Sequence, residues 1–423
     1  MRRQVKPKGT FALVSLGCAK NAVDLQVRAG NLIKGGWRLS ADPDRADLVI
    51  VNTCAFIASA REEAEAEIRR ALELKRRGRV GRVVVAGCYP QRYPNGAAAF
   101  PGVDEWNGVP QDWIEPRLPG MRLTGKAFAY LKIAEGCCHR CSYCAIPLIR
   151  GKFRSRPAES ILREARALLK SGCRELNIVA QDPMLYGVDM RGRSGGKHSS
   201  RGLTDLLWKL DRLPGRFWVR VLYSYPSEVD EDFLIWMMTS KHAVRYLDLP
   251  IQHTHPAVLV KMNRKGAIEA SRSLPDVVRE VIPDVTLRTT ILTGFPGETE
   301  TRFSQMLADL RRMQFDHLGA FAYSPEKGTR GALLGGRPSH AVALAREKAV
   351  MDQQAEIWRH KAKRMLGGVY EALVVAPGVA RMESQAPDVD GVVWLDDSSA
   401  PVGEFVRLRL EKARGFDFSG TVI

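Results

Sequence analysis

The chain opens on short unbroken apolar runs separated by stretches in which apolar residues recur every three or four positions. TFALVSL (residues 10–16), DLVIVNT (47–53) and GRVVVAG (81–87) are too short for helices and rich in β-branched residues, which predicts buried strands. NAVDLQVRAGNLIKGG (21–36) predicts a helix stopped by Gly35 and Gly36. SAREEAEAEIRRALELKRRG (59–78) predicts a longer helix capped by Ser59, with acids in its first turns and bases in its last. Strand, helix, strand, helix, strand within 90 residues is half of a doubly wound parallel sheet, an α/β arrangement.

Residues 94–120, rich in Pro, Gly and Ala and carrying Trp106 and Trp113, read as an irregular connection. KAFAYLKIAEG (126–136) starts a new strand, and strand and helix patterns then alternate as far as DHLGAFAYSP (316–325), which predicts a barrel or partial barrel. GVDMRGRSGGKHSS (187–200) interrupts this run as a mobile loop, and residues 339–366 are helical and basic. Beyond them, short strands with turn signals and little helical period predict a small antiparallel β-barrel. The expected domains are therefore residues 9–120, 123–360 and 363–423.

Composition is ordinary for a globular protein, at 45% hydrophobic and 26% charged. The +17 net charge favours a polyanionic or nucleoprotein partner. It is unevenly placed: from Met365 to the end there are five basic and nine acidic side chains, net −4, leaving +21 for the rest. An acidic small barrel suits a basic protein better than an RNA backbone. The apolar run Phe11–Leu16 is too short for a secretory signal, and no run of about 18 apolar residues predicts a membrane span. A cytoplasmic address follows as the expectation, and cysteines at motif spacing there point to metal or catalysis rather than disulfides.

Eight cysteines are present, and four fall in GCCHRCSYC (136–144). Cys137, Cys141 and Cys144 make C-x3-C-x2-C; Cys138, Cys141 and Cys144 make C-x2-C-x2-C, the start of a ferredoxin run. That run needs a fourth cysteine where Leu148 stands, and no further pair of ligands completes a closed zinc site, His139 reading as solvated. Three thiolates on a cubane leave one iron open for a substrate or cofactor. Cys18, Cys54 and Cys88 each follow the C-terminal end of a predicted strand. In a parallel sheet those ends share one edge, so the three read as a second metal or cluster site rather than as separate core residues. Cys173 reads as core.

The string EGCCHRCSYCAIPLIRGKFRSRP (135–157), with LGCAKN, VNTCAFI, AGCYPQRY, YLDLPIQH, MNRKG, GFPGET and YSPEKGT, resembles the methylthiotransferases of the radical S-adenosylmethionine superfamily over nearly the whole chain. The resemblance implies a three-cysteine N-terminal domain, a partial (β/α)6 radical SAM barrel and a C-terminal TRAM barrel. It further implies S-adenosylmethionine and two 4Fe–4S clusters, one on Cys137, Cys141 and Cys144 and one on Cys18, Cys54 and Cys88. Lys20-Asn21 followed by Asp24, and ESQAPDVDG (383–391), are similar to the branch that methylthiolates the β-carbon of an aspartate in ribosomal protein S twelve. The alternative is the transfer RNA adenosine branch. Ala19 where a proline is usual and Gln26 where an acid is common depart from the pattern, and Cys138 is an additional thiol.

In that reading the open iron of the first cluster chelates S-adenosylmethionine, one electron from a separate donor cleaves it to a radical, and the second cluster holds the sulfur to be methylated and transferred. Tyr143, Gln181, Arg220 and Gly294, at or near strand ends, are candidates to line the cofactor pocket. No catalytic proton-transfer role is assigned to Gln252 or His253, and Arg150, Arg154 and Arg156 either steer an acidic target or form a solvated basic loop.

Overall fold

A computed structural model describes residues 8–110, 122–190, 201–397 and 399–423. Trp113 and most of the 187–200 insertion lie outside the described residues. Contacts divide the chain into two compact units: Met1–Leu123 with Glu135–Cys138 and Cys144–Glu164, and Thr124–Ala134 with His139–Tyr143 and Ala165–Ile423.

The first unit holds β1 (Gly9–Ser15), α1 (Ala19–Lys34), β2 (Trp37–Leu39), β3 (Leu48–Thr53), α2 (Ala58–Arg76), β4 (Arg82–Gly87), α3 (Cys88–Arg92) and β5 (Glu105–Asn107). The five strands form one parallel sheet in the order β2-β1-β3-β4-β5. Every residue of β3 is buried, as expected of a central parallel strand covered on both faces. Leu25 and Ala29 of α1 pack one face with Phe11, Leu48 and Ile50, whereas Ile68 and Ala71 of α2 pack the other with Val49, Val51, Val83 and Val85. Two expectations change here. Helix α2 begins at Ala58 after Ile57, so Ser59 is inside the helix rather than its cap. The segment expected to be irregular supplies β5, because Trp106 stacks on Phe100 and meets Tyr89 edge-on, an aromatic cluster that holds a fifth strand in register.

Between the units' segments the chain runs through β6 (Phe128–Lys132), β7 (Ala134–Glu135), α4 (Ile146–Arg150), β8 (Arg154–Ser155) and α5 (Ala158–Lys170). The second unit continues with β9 (Glu175–Val179), α6 (Arg201–Asp211), β10 (Trp218–Val221), α7 (Glu231–Thr239), β11 (Tyr246–Asp248), α8 (Pro256–Lys261), α9 (Ile268–Val281), β12 (Thr286–Thr293), α10 (Glu300–Met313), β13 (His317–Ala322) and α11 (His340–Met365). Strands β6, β9 and β10 pair in parallel, as do β11, β12 and β13. A parallel bridge between Val219 and Ala243 links the two triplets. Six parallel strands in chain order, joined by helices, make the partial barrel.

The remainder, β14 (Val369–Ala376), β15 (Val379–Met382), β16 (Val393–Leu395), β17 (Phe405–Arg414) and β18 (Asp417–Val422), closes in the order β14-β15-β16-β18-β17. Four of its pairings are antiparallel and one, β16 with β18, is parallel. Its core, including Leu408, Leu410 and Phe418, packs on Trp358 and Ala362 of α11.

Candidate functional site

In the first unit, Cys18 directly precedes α1, Cys54 follows β3, and Cys88 is the first residue of α3 after β4. The sheet topology therefore brings the three thiols to one edge. Gly87 makes the turn into Cys88 at φ 97°, where a Cβ would lie 2.8 Å from Asn52 Oδ1 and the Thr53 carbonyl. Burial pushes the Cys88 thiol up to about 12, Arg150 opposing this and the nearby charges of Cys18 and Cys54 adding to it. Cys54 is likewise raised, by burial and by Cys18. Cys18 is exposed, and the charges of Lys20 and Arg150, together with hydrogen bonds from the backbone at Asn21 and Lys20, hold its thiol below its ordinary value. Cys54 feels the charge of Cys18, and Cys88 that of both, as sulfurs gathered at one sheet edge would.

A buried cation stands beside them. The Arg150 side chain is 1% exposed. It donates to Asp24 Oδ2 at 2.5 Å and Glu135 Oε2 at 3.1 Å from one nitrogen, and to Asn21 Oδ1 at 3.3 Å and Cys88 Sγ at 3.2 Å from the other. Asn21 is fixed in turn by donating to the carbonyls of Leu16 at 2.7 Å and Thr53 at 3.1 Å. This overturns the surface reading of Arg150, and Arg156 is also buried, paired with Glu164 at 2.6 Å. Both guanidiniums are enclosed by carboxylates and so cannot face solvent as a steering loop.

Among the described residues no three His, Cys, Asp or Glu side chains converge on a single metal ion. A cubane asks for something different, one thiolate on each of three irons, with sulfurs disposed around the cluster rather than on a point. Three soft donors at one sheet edge, with a buried guanidinium as counter-charge, fit that requirement.

In GCCHRCSYC, Gly136 has φ 80° and a Cβ there would lie 2.2 Å from the Lys152 carbonyl, while the Cys137 N–H donates to the Gly151 carbonyl at 3.2 Å. Cys138 is exposed. Within the second unit, residues 139–143 are clamped to the segment after α8. The Ser142 N–H donates to the Met262 carbonyl at 2.9 Å, its hydroxyl donates to Lys261 at 2.8 Å, and Asn263 Nδ2 donates to the Arg140 carbonyl at 2.7 Å. The buried Arg264 donates to Tyr143 Oη at 3.2 Å, comes within 4.0 Å of Cys141 Sγ and covers the Tyr225 ring at 4.1 Å. MNRKG is thus the brace for this loop. His139 is not solvated: its Nε2 is 2.6 Å from Asp182 Oδ2 and its ring stacks on Tyr225 at 3.9 Å. A carboxylate and an aromatic face outcompete water for the imidazole.

The remaining candidates are scattered. Tyr143 packs against Phe295 and Leu259, and Gln181 lies just beyond β9, half-buried. Gly294 donates its N–H to Glu298 at 2.7 Å and lines a cavity of about 410 Å³ with Tyr323, Arg337 and His340. Arg220 is fully buried and directed to Glu175, the first residue of β9, at 2.8 Å, and to the Glu383 carbonyl at 2.7 Å. Cys173 is core, its thiol donating to the Glu175 carbonyl at 3.2 Å. The residues that sequence reasoning missed are Glu135, Asp182, Tyr225 and Arg264, together with the roles of Asn21, Asp24 and Arg150. All but Asp182 and Tyr225 sit inside quoted motifs, which was the available signal.

Two acids of the C-terminal barrel are engaged by tyrosines. Asp390 accepts from Tyr246 Oη at 2.5 Å and Arg288 at 3.3 Å, and Asp388 accepts from Tyr130 Oη at 2.5 Å. Asp390 is buried but so is the basic Arg381, and Asp388 is exposed, so the side chains of the barrel that reach solvent still sum to −4.

Residues 10–108 match the model of an uncharacterized protein family, UPF0004; residues 131–310 match the radical SAM superfamily; residues 368–423 match the TRAM domain. The chain is 38% identical to the ribosomal protein uS12 methylthiotransferase RimO of Syntrophus aciditrophicus, over 97% of this chain and 98% of that one. It is 39% identical to the protein of the same name from Pelotomaculum thermopropionicum, over 98% and 99%. Among solved structures, the radical S-adenosylmethionine methyltransferase TsrM of Kitasatospora setae shares the fold at TM-score 0.53 and 16% identity, over 93% of this chain and 83% of that one.

Proposed function

Because this chain belongs to the ribosomal protein uS12 methylthiotransferase family of radical SAM enzymes, we propose specific ligands and a specific target for the reaction. The chain is a sulfur-group transferase, with S-adenosylmethionine and two 4Fe–4S clusters as its cofactors. Cys137, Cys141 and Cys144 hold the cluster that binds S-adenosylmethionine, and Cys18, Cys54 and Cys88 hold the other. When bound, these groups supply the radical and the sulfur that an unactivated aspartate C–H requires, since that bond is too weak an acid for a general base.

The chain's own residues supply placement. Asn263 and Arg264 fix the loop around Cys141, Asn21 fixes the turn at Cys18, and Arg150 supplies the buried positive charge at Cys88. Tyr143, Gln181 and Gly294 are proposed to line the S-adenosylmethionine pocket; Arg220 is left out because Glu175 engages its guanidinium. The target is the β-carbon of an aspartate of uS12, the electron comes from a separate one-electron donor, and a ribosomal target places the reaction in the cytoplasm. No described helix is long and apolar enough to cross a membrane.

The observation that carries this reading is identity of 38% along essentially the whole length of a uS12-modifying relative. Mass spectrometry of uS12 from a strain lacking the gene tests it. The methylthio mass should disappear from uS12 and return on complementation. An unchanged uS12 alongside a transfer RNA that loses its methylthio group would assign the chain to the other substrate.

A further inference from the structure

The Arg150 side chain is enclosed and donates to Cys88 Sγ, a candidate ligand sulfur of the N-terminal site. Its surroundings are specific. One nitrogen answers two carboxylates, Asp24 and Glu135, each 1% exposed, while the other is directed to Asn21 Oδ1 and Cys88 Sγ. Two acids for one base leave the guanidinium anchored and unable to swing away, so the N–H aimed at Cys88 is held whether or not the sulfur is loaded. The fork geometry of guanidinium is what allows both engagements at once; an ammonium has no such rigid second arm.

We propose that Arg150 is a positioning residue that raises the reduction potential of the cluster carried by Cys18, Cys54 and Cys88, through the hydrogen bond it donates to Cys88 Sγ. This rests on the ligand reading given above. A hydrogen bond to a ligand sulfur withdraws electron density from the iron, and a nearby positive charge stabilises the more negative, reduced form; both move the potential upward. The reverse charges are also on the page. Asp24 and Glu135 lower the potential by partly cancelling the guanidinium, so the three residues together set a value rather than simply maximise it. The single electron involved comes from dithionite in the assay and from a one-electron donor in the cell.

The test uses the full chain with Cys137, Cys141 and Cys144 all replaced by Ala, reconstituted anaerobically with iron and sulfide, so that one cluster is read alone. Iron content is measured first, then the midpoint potential by dithionite titration followed by electron paramagnetic resonance. Arg150→Lys keeps the charge and loses the fork. We expect unchanged iron and a midpoint lowered enough to change the reduced-to-oxidised ratio about tenfold at fixed potential, or about 59 mV for one electron. Arg150→Gln combined with Glu135→Gln, which removes one charge of each sign and so keeps the buried charge balance, should also lower the midpoint through the lost guanidinium hydrogen bond, and it decides the matter if Arg150→Lys does not hold iron. Intact iron with an unmoved midpoint in these variants overturns the role of Arg150 and leaves the ligand reading standing. Absence of iron in the parent itself overturns the ligand reading.

Discussion

The two sets of three cysteines are built by opposite strategies. Cys18, Cys54 and Cys88 are spread over 71 residues of chain and are brought together by the sheet, each just after a parallel strand, with the charge of Arg150 beside them. Cys137, Cys141 and Cys144 lie within eight residues and need no sheet to be neighbours, but a loop that short must be held from outside. Part of that holding comes from MNRKG, whose Asn263 and Arg264 seize Arg140 and Tyr143. Where long-range topology places the cysteines, the local problem is charge; where sequence places them, the local problem is shape.

That contrast can be broken most sharply at the loop. Replacing Cys137 with Ser should remove about four irons per chain and abolish turnover, whereas replacing the exposed Cys138 with Ser should leave both intact. The reverse result would shift the ligand register by one residue. At the sheet-edge site, Arg150→Met should destabilise the fold by about 3–5 kcal/mol in thermal or denaturant unfolding, because Asp24 and Glu135 are left buried without a counter-charge. A loss below about 1 kcal/mol would mean that the carboxylates reach water. Arg264→Met should cost less, about 2 kcal/mol, removing hydrogen bonds to Tyr143 and to the Pro250 carbonyl and the cover over Tyr225; its distinguishing mark is weaker S-adenosylmethionine binding with the sheet-edge cluster unaffected.

A further effect concerns pH. Burial holds His253 neutral, its value lowered to about 3 from an ordinary 6.5. The unfolded chain binds that proton first on acidification, so this histidine contributes stability that is present above pH 6.5 and is lost as pH falls toward 3, by up to about 1.4 kcal/mol per pH unit. His253→Asn should flatten that part of the stability curve, measured by denaturant midpoints from pH 7.5 down to 5.

Much of the fold was legible because parallel strands buried on both faces read as unbroken apolar runs, and β3 does so along its full length. The edge strand β5 was not legible, since Trp106 is held by Phe100 and Tyr89, partners whose proximity only the sheet creates. The gathering of Cys18, Cys54 and Cys88 at one sheet edge was legible from strand ends. Arg150 was not, because a basic residue in a Gly- and Arg-rich stretch looks solvated until Asp24, 126 positions earlier, is seen to enclose it. The same holds for His139, whose partner Asp182 lies 43 positions away. The acidic count after residue 365 survives the structure, because the one buried acid, Asp390, is matched by the one buried base, Arg381.

Iron and acid-labile sulfide per chain, measured after anaerobic reconstitution of the wild type and of two triple variants, test most directly whether there are two independent three-thiol sites. Wild type should hold about eight irons, and replacing either Cys18, Cys54 and Cys88 or Cys137, Cys141 and Cys144 with Ala should leave about four. A wild-type value near four, or a triple variant that loses every iron or none, would contradict it.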